Sequence, residues 1–295
     1  MNIGLAGTGK MGAAIARRML SSGQSLRVWN RSAARAQPLL DEGATWAPSP
    51  ADLVASADVV FTMLTDEPAL DEVYLGAAGL LLGPADGRLF VDMSTVSPAK
   101  PQQIGARARD VGARFLECPV GGSVGPAREG RLLGFVGGAE EDLEQVRPVL
   151  QLLCRRIEHV GPLGAGATMK LTINLPLLVY WQTLSEALSL VQPLGLDPAR
   201  IVDILADTSG GPNMLKVRGT AIAQALAGHS GPISVDVATM RKDLRAMLEQ
   251  GAALGVQLPL TQTALRTFER AAEQGLDNAD CTELPVWWLK GAGRV

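Results

Sequence analysis

The chain has 295 residues, a formal net charge of −3, 47% hydrophobic and 19% charged residues. That balance argues against disorder and against a nucleic-acid partner, and the length suffices for two domains with separate cores. Three widely spaced cysteines (Cys118, Cys154 and Cys281) without a C-x-x-C pair, and only two histidines, predict neither a disulfide framework nor a bound metal.

The opening residues carry no cationic stretch before an apolar run, and no window reaches the ~18 uninterrupted apolar residues of a membrane span. A cytoplasmic protein with no membrane partner is expected. Residues 3–6 read as a strand that runs into Gly7-Thr8-Gly9-Lys10-Met11-Gly12, after which Ala13, Ala14, Ile15 and Ala16 continue at helical spacing. This is a dinucleotide-binding turn in its strand–turn–helix context. Gly7 permits the tight turn, Gly9 lets the backbone approach a pyrophosphate, and Gly12 lets the helix pack close to the strand. The helix N-terminus then presents its unpaired N–H groups to the phosphates, with Lys10 and Met11 beside them.

Residues 26–30 read as the second parallel strand. About 20 residues after the glycines, where a carboxylate would hold a ribose diol, stands neutral Asn30, followed by Arg31 and Ser32. A guanidinium fork and a hydroxyl suit a 2′-phosphate. The expected cofactor is therefore NADP(H), with NAD(H) as the alternative.

Short apolar runs then alternate with amphipathic helical stretches. Helices are expected at 35–40, 50–56 and 98–110, and strands at 44–46, 58–64, 89–92 and 113–116. Met63 and Leu64, at the end of the 58–64 strand, are further cofactor-side candidates. Such alternation predicts a doubly wound parallel sheet. Residues 132–137 and 155–160 add two edge strands around a helix at 140–153. From 164 to 191 the composition is almost continuously helical, and later helices are broken by Gly or Pro near 195–198, 210–212, 228–232, 255–259 and 291–293. The expected architecture is α/β. A Rossmann-type NAD(P)-binding domain covers 1–163, and an all-helical substrate and dimerisation domain, opened by a long interdomain helix, covers 164–295. Ligands are expected in the crevice beside the carboxyl ends of the strands.

Lys170 and Asn174 stand four apart and share one helix face. Apolar neighbours (Met169, Leu171, Ile173 and Leu175) and upstream glycines distinguish them from an ordinary solvated pair. Pro176 removes the hydrogen bond to the Thr172 carbonyl and should kink the helix beside Asn174.

Four separated blocks together resemble the β-hydroxyacid dehydrogenase family, which includes 3-hydroxyisobutyrate dehydrogenase and the glyoxylate or succinic semialdehyde reductases. They are the glycine turn with the end of the second strand; Asp92-Met93-Ser94-Thr95-Val96-Ser97-Pro98; Cys118-Pro119-Val120 with Gly121-Gly122-Ser123 and Gly125; and residues 164–174, with Lys242-Asp243-Leu244 downstream. The resemblance implies reversible, nicotinamide-dependent interconversion of a small 3-hydroxy acid and its semialdehyde. It also implies Lys170 as the acid/base residue, Asn174 as its substrate-holding neighbour, Thr95 as a nicotinamide-side contact and Lys242 as a cofactor-side contact.

Negative charge that builds on a carbonyl oxygen calls for a nearby proton donor, and an ordinary lysine, with a pKa of ~10.4, is charged at neutral pH. Oxidation needs the neutral amine, so an alkaline optimum is expected for oxidation and a neutral one for reduction. The family usually carries Ser-Gly-Gly after Pro-Val to hold the substrate carboxylate. Here Gly121-Gly122-Ser123 keeps the backbone donors but not the hydroxyl in its place, so either Ser123 compensates or another group is recognised. Imine reductases share this scaffold but typically place Asp or Tyr where Lys170 stands, and a non-catalytic nucleotide sensor would not need the lysine. Leu175, Leu177, Leu178, Val179, Trp181, Leu184 and Leu188 cover more than one helix face. Together with the family likeness they predict a homodimer, with Trp287-Trp288 either packed on the neighbour or capping its own chain.

Overall fold

The computed structural model describes residues 1–293; Arg294 and Val295, the last two positions of the expected helical domain, lie outside the described residues. The chain divides into two compact units, residues 1–171 and a second that begins at Thr172.

In the first unit, β1 (Ile3–Ala6), β2 (Leu26–Trp29), β3 (Thr45–Trp46), β4 (Val59–Thr62), β5 (Leu89–Asp92), β6 (Arg114–Glu117), β7 (Val120–Gly121), β8 (Leu132–Gly137) and β9 (Cys154–Gly161) form one nine-stranded sheet among the described residues. Its order is β3-β2-β1-β4-β5-β6-β8-β7, with β9 on β8. The strand order reverses between β1 and β4, which opens a crevice at their carboxyl ends. The helices are α1 (Lys10–Ser21), α2 (Gln37–Asp41), α3 (Pro50–Ala55), α4 (Glu67–Leu75), α5 (Ala99–Asp110), α6 (Val124–Arg128) and α7 (Glu140–Leu153).

Strands β1, β4 and β5 are buried at every position and apolar except for Thr62 and Asp92 at the carboxyl ends of β4 and β5, as strands covered on both faces require. Alternate side chains feed two cores. Leu5, Phe61 and Val91 pack with Ile15, Met19, Leu143 and Leu150 on one side. Val60 and Phe90 pack with Leu53, Leu70, Tyr74 and Ile104 on the other.

Strands β1 to β6 pair in parallel as expected, while one of the two added strands departs from that direction. Strand β8 runs antiparallel to β6 and β7, because β6 reaches it through two-residue β7 and five-residue α6 rather than through a full crossover helix. Helix α4 is an unanticipated element. Its signal is Asp66, whose side chain accepts from Ala69 N, followed by Pro68 in the first turn.

Helix α8 (Ala165–Val191) runs 27 residues and continues through Pro176, so the proline leaves no break in it. Beyond it lie α9 (Pro198–Ala206), α10 (Asn213–Leu226), α11 (Val237–Ala253), α12 (Pro259–Ala271) and α13 (Glu283–Trp287). Asp197 and Asp236 cap α9 and α11 through their side chains. Leu178, Trp181, Leu184 and Leu188 are already buried within the chain. Trp287 donates its indole N–H to Gln274 and lies under Arg270, so it packs on its own chain. Among the described residues no helix is long and apolar enough to cross a membrane.

Candidate active site

The turn between β1 and α1 requires glycine for three different reasons. Gly7 has φ +100°, and a Cβ there would lie 2.3 Å from the Met63 carbonyl oxygen; at Gly12 it would lie 1.9 Å from the Gly7 carbonyl oxygen. Gly9 differs. It is the N-cap of α1 and offers no side-chain cap, and no atom lies within 4 Å of the place its Cβ would occupy. Thr8 Oγ1, beside it, is buried without a hydrogen-bond partner. Open space over a helix N-terminus, with an unspent hydroxyl at its edge, fits the pyrophosphate of a dinucleotide.

Asn30 ties this turn to the second strand: its Oδ1 accepts from Thr8 N at 3.0 Å and its Nδ2 donates to the Ser32 carbonyl at 2.9 Å. Both ends of its side-chain amide are thus engaged in shaping the cradle. Lys10, Arg31 and Ser32 are exposed. Met11 and Met63 pack against one core and Leu64 against the other, so these three offer a cofactor mainly backbone.

The neighbouring strand ends are joined by hydrogen bonds from Met63 N to Ala6 O, Met93 N to Thr62 O and Cys118 N to Asp92 O. Asp92, 1% exposed, organises them. Its Oδ1 accepts from Thr62 Oγ1 at 2.6 Å and from Ser94 Oγ at 2.7 Å, while Ser94 Oγ accepts from Leu64 N at 2.9 Å. One carboxylate thereby sets both the loop after β4 and the half-buried Thr95 loop after β5. Burial, with the charge of Asp92 adding to it, pushes the neighbouring Tyr74 phenol well above its ordinary range.

Gly121 lies buried in β7, paired with Leu133. Gly122 has φ +124°. Ser123 is exposed at the N-cap of α6 and makes no side-chain cap bond, which leaves its hydroxyl uncommitted to that helix.

Lys170 stands on the stretch of α8 that belongs to the sheet-bearing unit and is only 8% exposed. The first turn of α8 is gripped by Glu117, which accepts from Gly164 N, Gly166 N and Ala167 N at 2.5, 3.0 and 3.0 Å. Burial pushes the Glu117 carboxyl up to about 7, against the pull of those three N–H donors and with Asp92 adding to the rise. In the second unit, Asn174 Nδ2 donates to Asp243 Oδ2 at 3.1 Å. Lys242 Nζ lies 3.0 Å from Asp243 Oδ1, an ion pair. Asn174 and Lys242, 68 positions apart in the sequence, thus meet through buried Asp243. Asp92, Glu117 and Asp243 are absent from the sequence-based site candidates, although Asp92 opens the block that contains Thr95 and Asp243 adjoins Lys242.

Residues 2–161 match the family described as the NAD binding domain of 6-phosphogluconate dehydrogenase, and residues 164–287 the one described as the NAD-binding region of NADP-dependent 3-hydroxyisobutyrate dehydrogenase. Glyoxylate/succinic semialdehyde reductase 2 of Arabidopsis thaliana is 30% identical over 95% of this chain and 77% of its own length. The 3-hydroxyisobutyrate dehydrogenase of Pseudomonas aeruginosa is 32% identical over 96% of this chain and 98% of its own. A solved structure, Psf3 in complex with NADP+ and 2-OPP, superposes with a TM-score of 0.87 at 29% identity, covering 97% of this chain and 99% of that one. Together with the cradle, these likenesses show that the chain belongs to the β-hydroxyacid dehydrogenase family, whose members are nicotinamide-dependent oxidoreductases acting on CH–OH groups of small molecules.

Proposed function

We propose that the protein is an NADP(H)-dependent oxidoreductase interconverting a small 3-hydroxy acid and its semialdehyde, with Lys170 as the proton donor and acceptor. The observation that carries this reading is a lysine only 8% exposed, with Asn174 one turn further along the same helix. When bound, a nicotinamide dinucleotide supplies or takes up the hydride. During reduction Lys170 Nζ gives a proton to the carbonyl oxygen as negative charge gathers there; during oxidation the neutral amine takes the hydroxyl proton back. Low exposure raises the worth of that charge, since Coulomb interactions strengthen as water is excluded.

Asn174, oriented by Asp243, holds the substrate oxygen beside Lys170. The N–H groups of Gly121 and Gly122, with the Ser123 hydroxyl, face the carboxylate. Gly7, Gly9 and Gly12, with the N–H groups of Lys10 and Met11, receive the pyrophosphate. Asn30 shapes the turn, Met63, Leu64 and Thr95 line the nicotinamide side, and Lys242 contacts the cofactor from α11. Exposed Arg31 and Ser32 receive a 2′-phosphate, which favours NADP(H) over NAD(H). NADP+ in the Psf3 complex supports that preference.

A homodimer belongs to the same reading, supported by Leu190 and Leu194, which end and follow α8 and are 85% and 68% exposed. Light scattering that finds only a 31 kDa species removes it. Lys170→Ala should lower turnover by at least 10³-fold, on the order of the loss of a general acid, while cofactor affinity stays as in the wild type. A variant that keeps its turnover refutes the reading.

A further inference from the structure

Helix N-termini are ordinarily satisfied by a short polar side chain at the N-cap itself. Helix α8 is served instead by Glu117, a residue 47 positions earlier in the chain at the end of β6. The carboxylate takes two N–H groups on Oε1 and one on Oε2, and the surroundings are cut to admit it. A Cβ on Gly137, the partner of Glu117 across β8, would lie 2.3 Å from Oε1; one on Gly166 would lie 3.1 Å from Cδ and 2.4 Å from the Phe135 carbonyl oxygen; and Gly164 has φ +98°. Flanking bonds fix the approach, with Thr168 Oγ1 donating to Gly164 O at 2.8 Å and Gln102 Nε2 to Leu163 O at 3.0 Å.

Burying a carboxylate is expensive, and Glu117 is 2% exposed. A 27-residue helix does not need such a device to exist. What the device achieves is to lock the foot of α8 to the sheet three residues before Lys170. We propose that Glu117 is a positioning residue for proton transfer at Lys170: it fixes the turn on which the ammonium is mounted. The inference rests on the reading of Lys170 as the acid/base residue. The titratable groups around the carboxylate are Asp92 on β5 and Cys118, the residue that follows Glu117. Strand β8 presents Gly137, and α8 carries no charged residue before Lys170.

The ionised carboxylate is the strongest acceptor for all three N–H groups, and a proton on it weakens their grip, so kcat should fall on the acid side as Glu117 gains its proton. Glu117→Gln keeps the shape but sets an NH₂ group among the three donors. The variant should lose roughly 10–100-fold in kcat, the scale of a misplaced catalytic group, with KM within about twofold, and its acid limb should vanish. Glu117→Asp, which keeps the charge on a shorter arm, should recover part of kcat and retain the limb. Hydrogen exchange in the first turn of α8 should be faster in Glu117→Gln than in the wild type at pH 8. In a Lys170→Ala background, Glu117→Gln should lower the residual turnover no further. Wild-type kcat with an unchanged acid limb in Glu117→Gln overturns the proposal, as does the same fold-loss in both backgrounds. Full turnover in Lys170→Ala alone is a separate failure: it overturns the Lys170 reading and this proposal with it.

Discussion

Stability and activity should respond to pH in opposite directions because of Glu117. Its carboxyl is raised from 4.5 to about 7 in the folded chain. At 1.36 kcal/mol for each tenfold change in proton affinity, the ionised form is disfavoured in the fold by about 3 kcal/mol relative to the unfolded chain. The folded-state value lies above the unfolded one, so this stabilisation is complete below about pH 4.5 and is lost as pH rises through about 7. Glu117→Gln does not titrate and should lack the loss. In urea melts at pH 5, 6, 7 and 8, followed by tryptophan fluorescence, the stability of the variant relative to wild type should improve by about 3 kcal/mol between pH 5 and pH 8. The comparison uses differences between two chains at each pH, so titrations common to both cancel. A difference that stays constant across that interval refutes the reasoning, because it would mean that Glu117 ionises alike in the folded and unfolded chains.

Three further substitutions separate what the glycines and the arginine do. Gly9→Ala meets no atom within 4 Å, so its melting temperature should match wild type while the cofactor Kd rises roughly tenfold or more, as a methyl blocks the approach of a pyrophosphate. Gly12→Ala, whose methyl would strike the Gly7 carbonyl at 1.9 Å, should lose about 1–3 kcal/mol of stability as well. Calorimetric titration beside a thermal melt checks both, and a wild-type Kd in Gly9→Ala contradicts the placement of the pyrophosphate. Arg31→Ala should raise the KM for NADPH roughly 10–100-fold, in line with about 1.5–3 kcal/mol for a hydrogen bond to a charged group, and leave that for NADH nearly unchanged. Equal effects on the two cofactors would place the 2′-phosphate elsewhere.

The parts of this molecule that were legible in the sequence are those whose signal is local. The strands β1, β4 and β5 announce themselves as short apolar runs because both faces are buried, and the β1–α1 turn because three glycines meet three steric demands within six residues. Lys170 and Asn174 stand out by helical spacing together with their apolar neighbours and the glycines upstream. The antiparallel return of β8 does not, since its direction depends on the length of the β7–α6 connection and on pairing with β6, neither of which leaves a periodic trace. Four of the apolar residues read as an intersubunit face, Leu178, Trp181, Leu184 and Leu188, are buried within the chain itself. An all-round apolar helix is equally well explained by burial inside its own fold.

The three carboxylates that sequence patterns overlooked share a physical logic. Asp92 closes β5, Glu117 closes β6, and Asp243 lies inside α11; Asp92 and Asp243 stand in the sequence blocks that carry the family likeness, but nothing local marks what any of the three holds. Their partners are distant: Thr62 from 30 positions away for Asp92, backbone N–H groups 47 to 50 positions on for Glu117, and Asn174 from 69 positions away for Asp243. Asp92 and Glu117 are also direct register neighbours on adjacent strands, and the charge of Asp92 makes ionisation of Glu117 harder. A chain shaped for stability alone would do better with neutral caps or apolar side chains at such positions. Each of the three instead fixes neighbours within its own unit: Asp92 the loops after β4 and β5, Glu117 the foot of α8 beneath Lys170, and Asp243 the Asn174–Lys242 pair. Local cost concentrated where side-chain direction matters most is what preorganisation requires, because a donor held in place before the substrate arrives need not be reordered as charge develops.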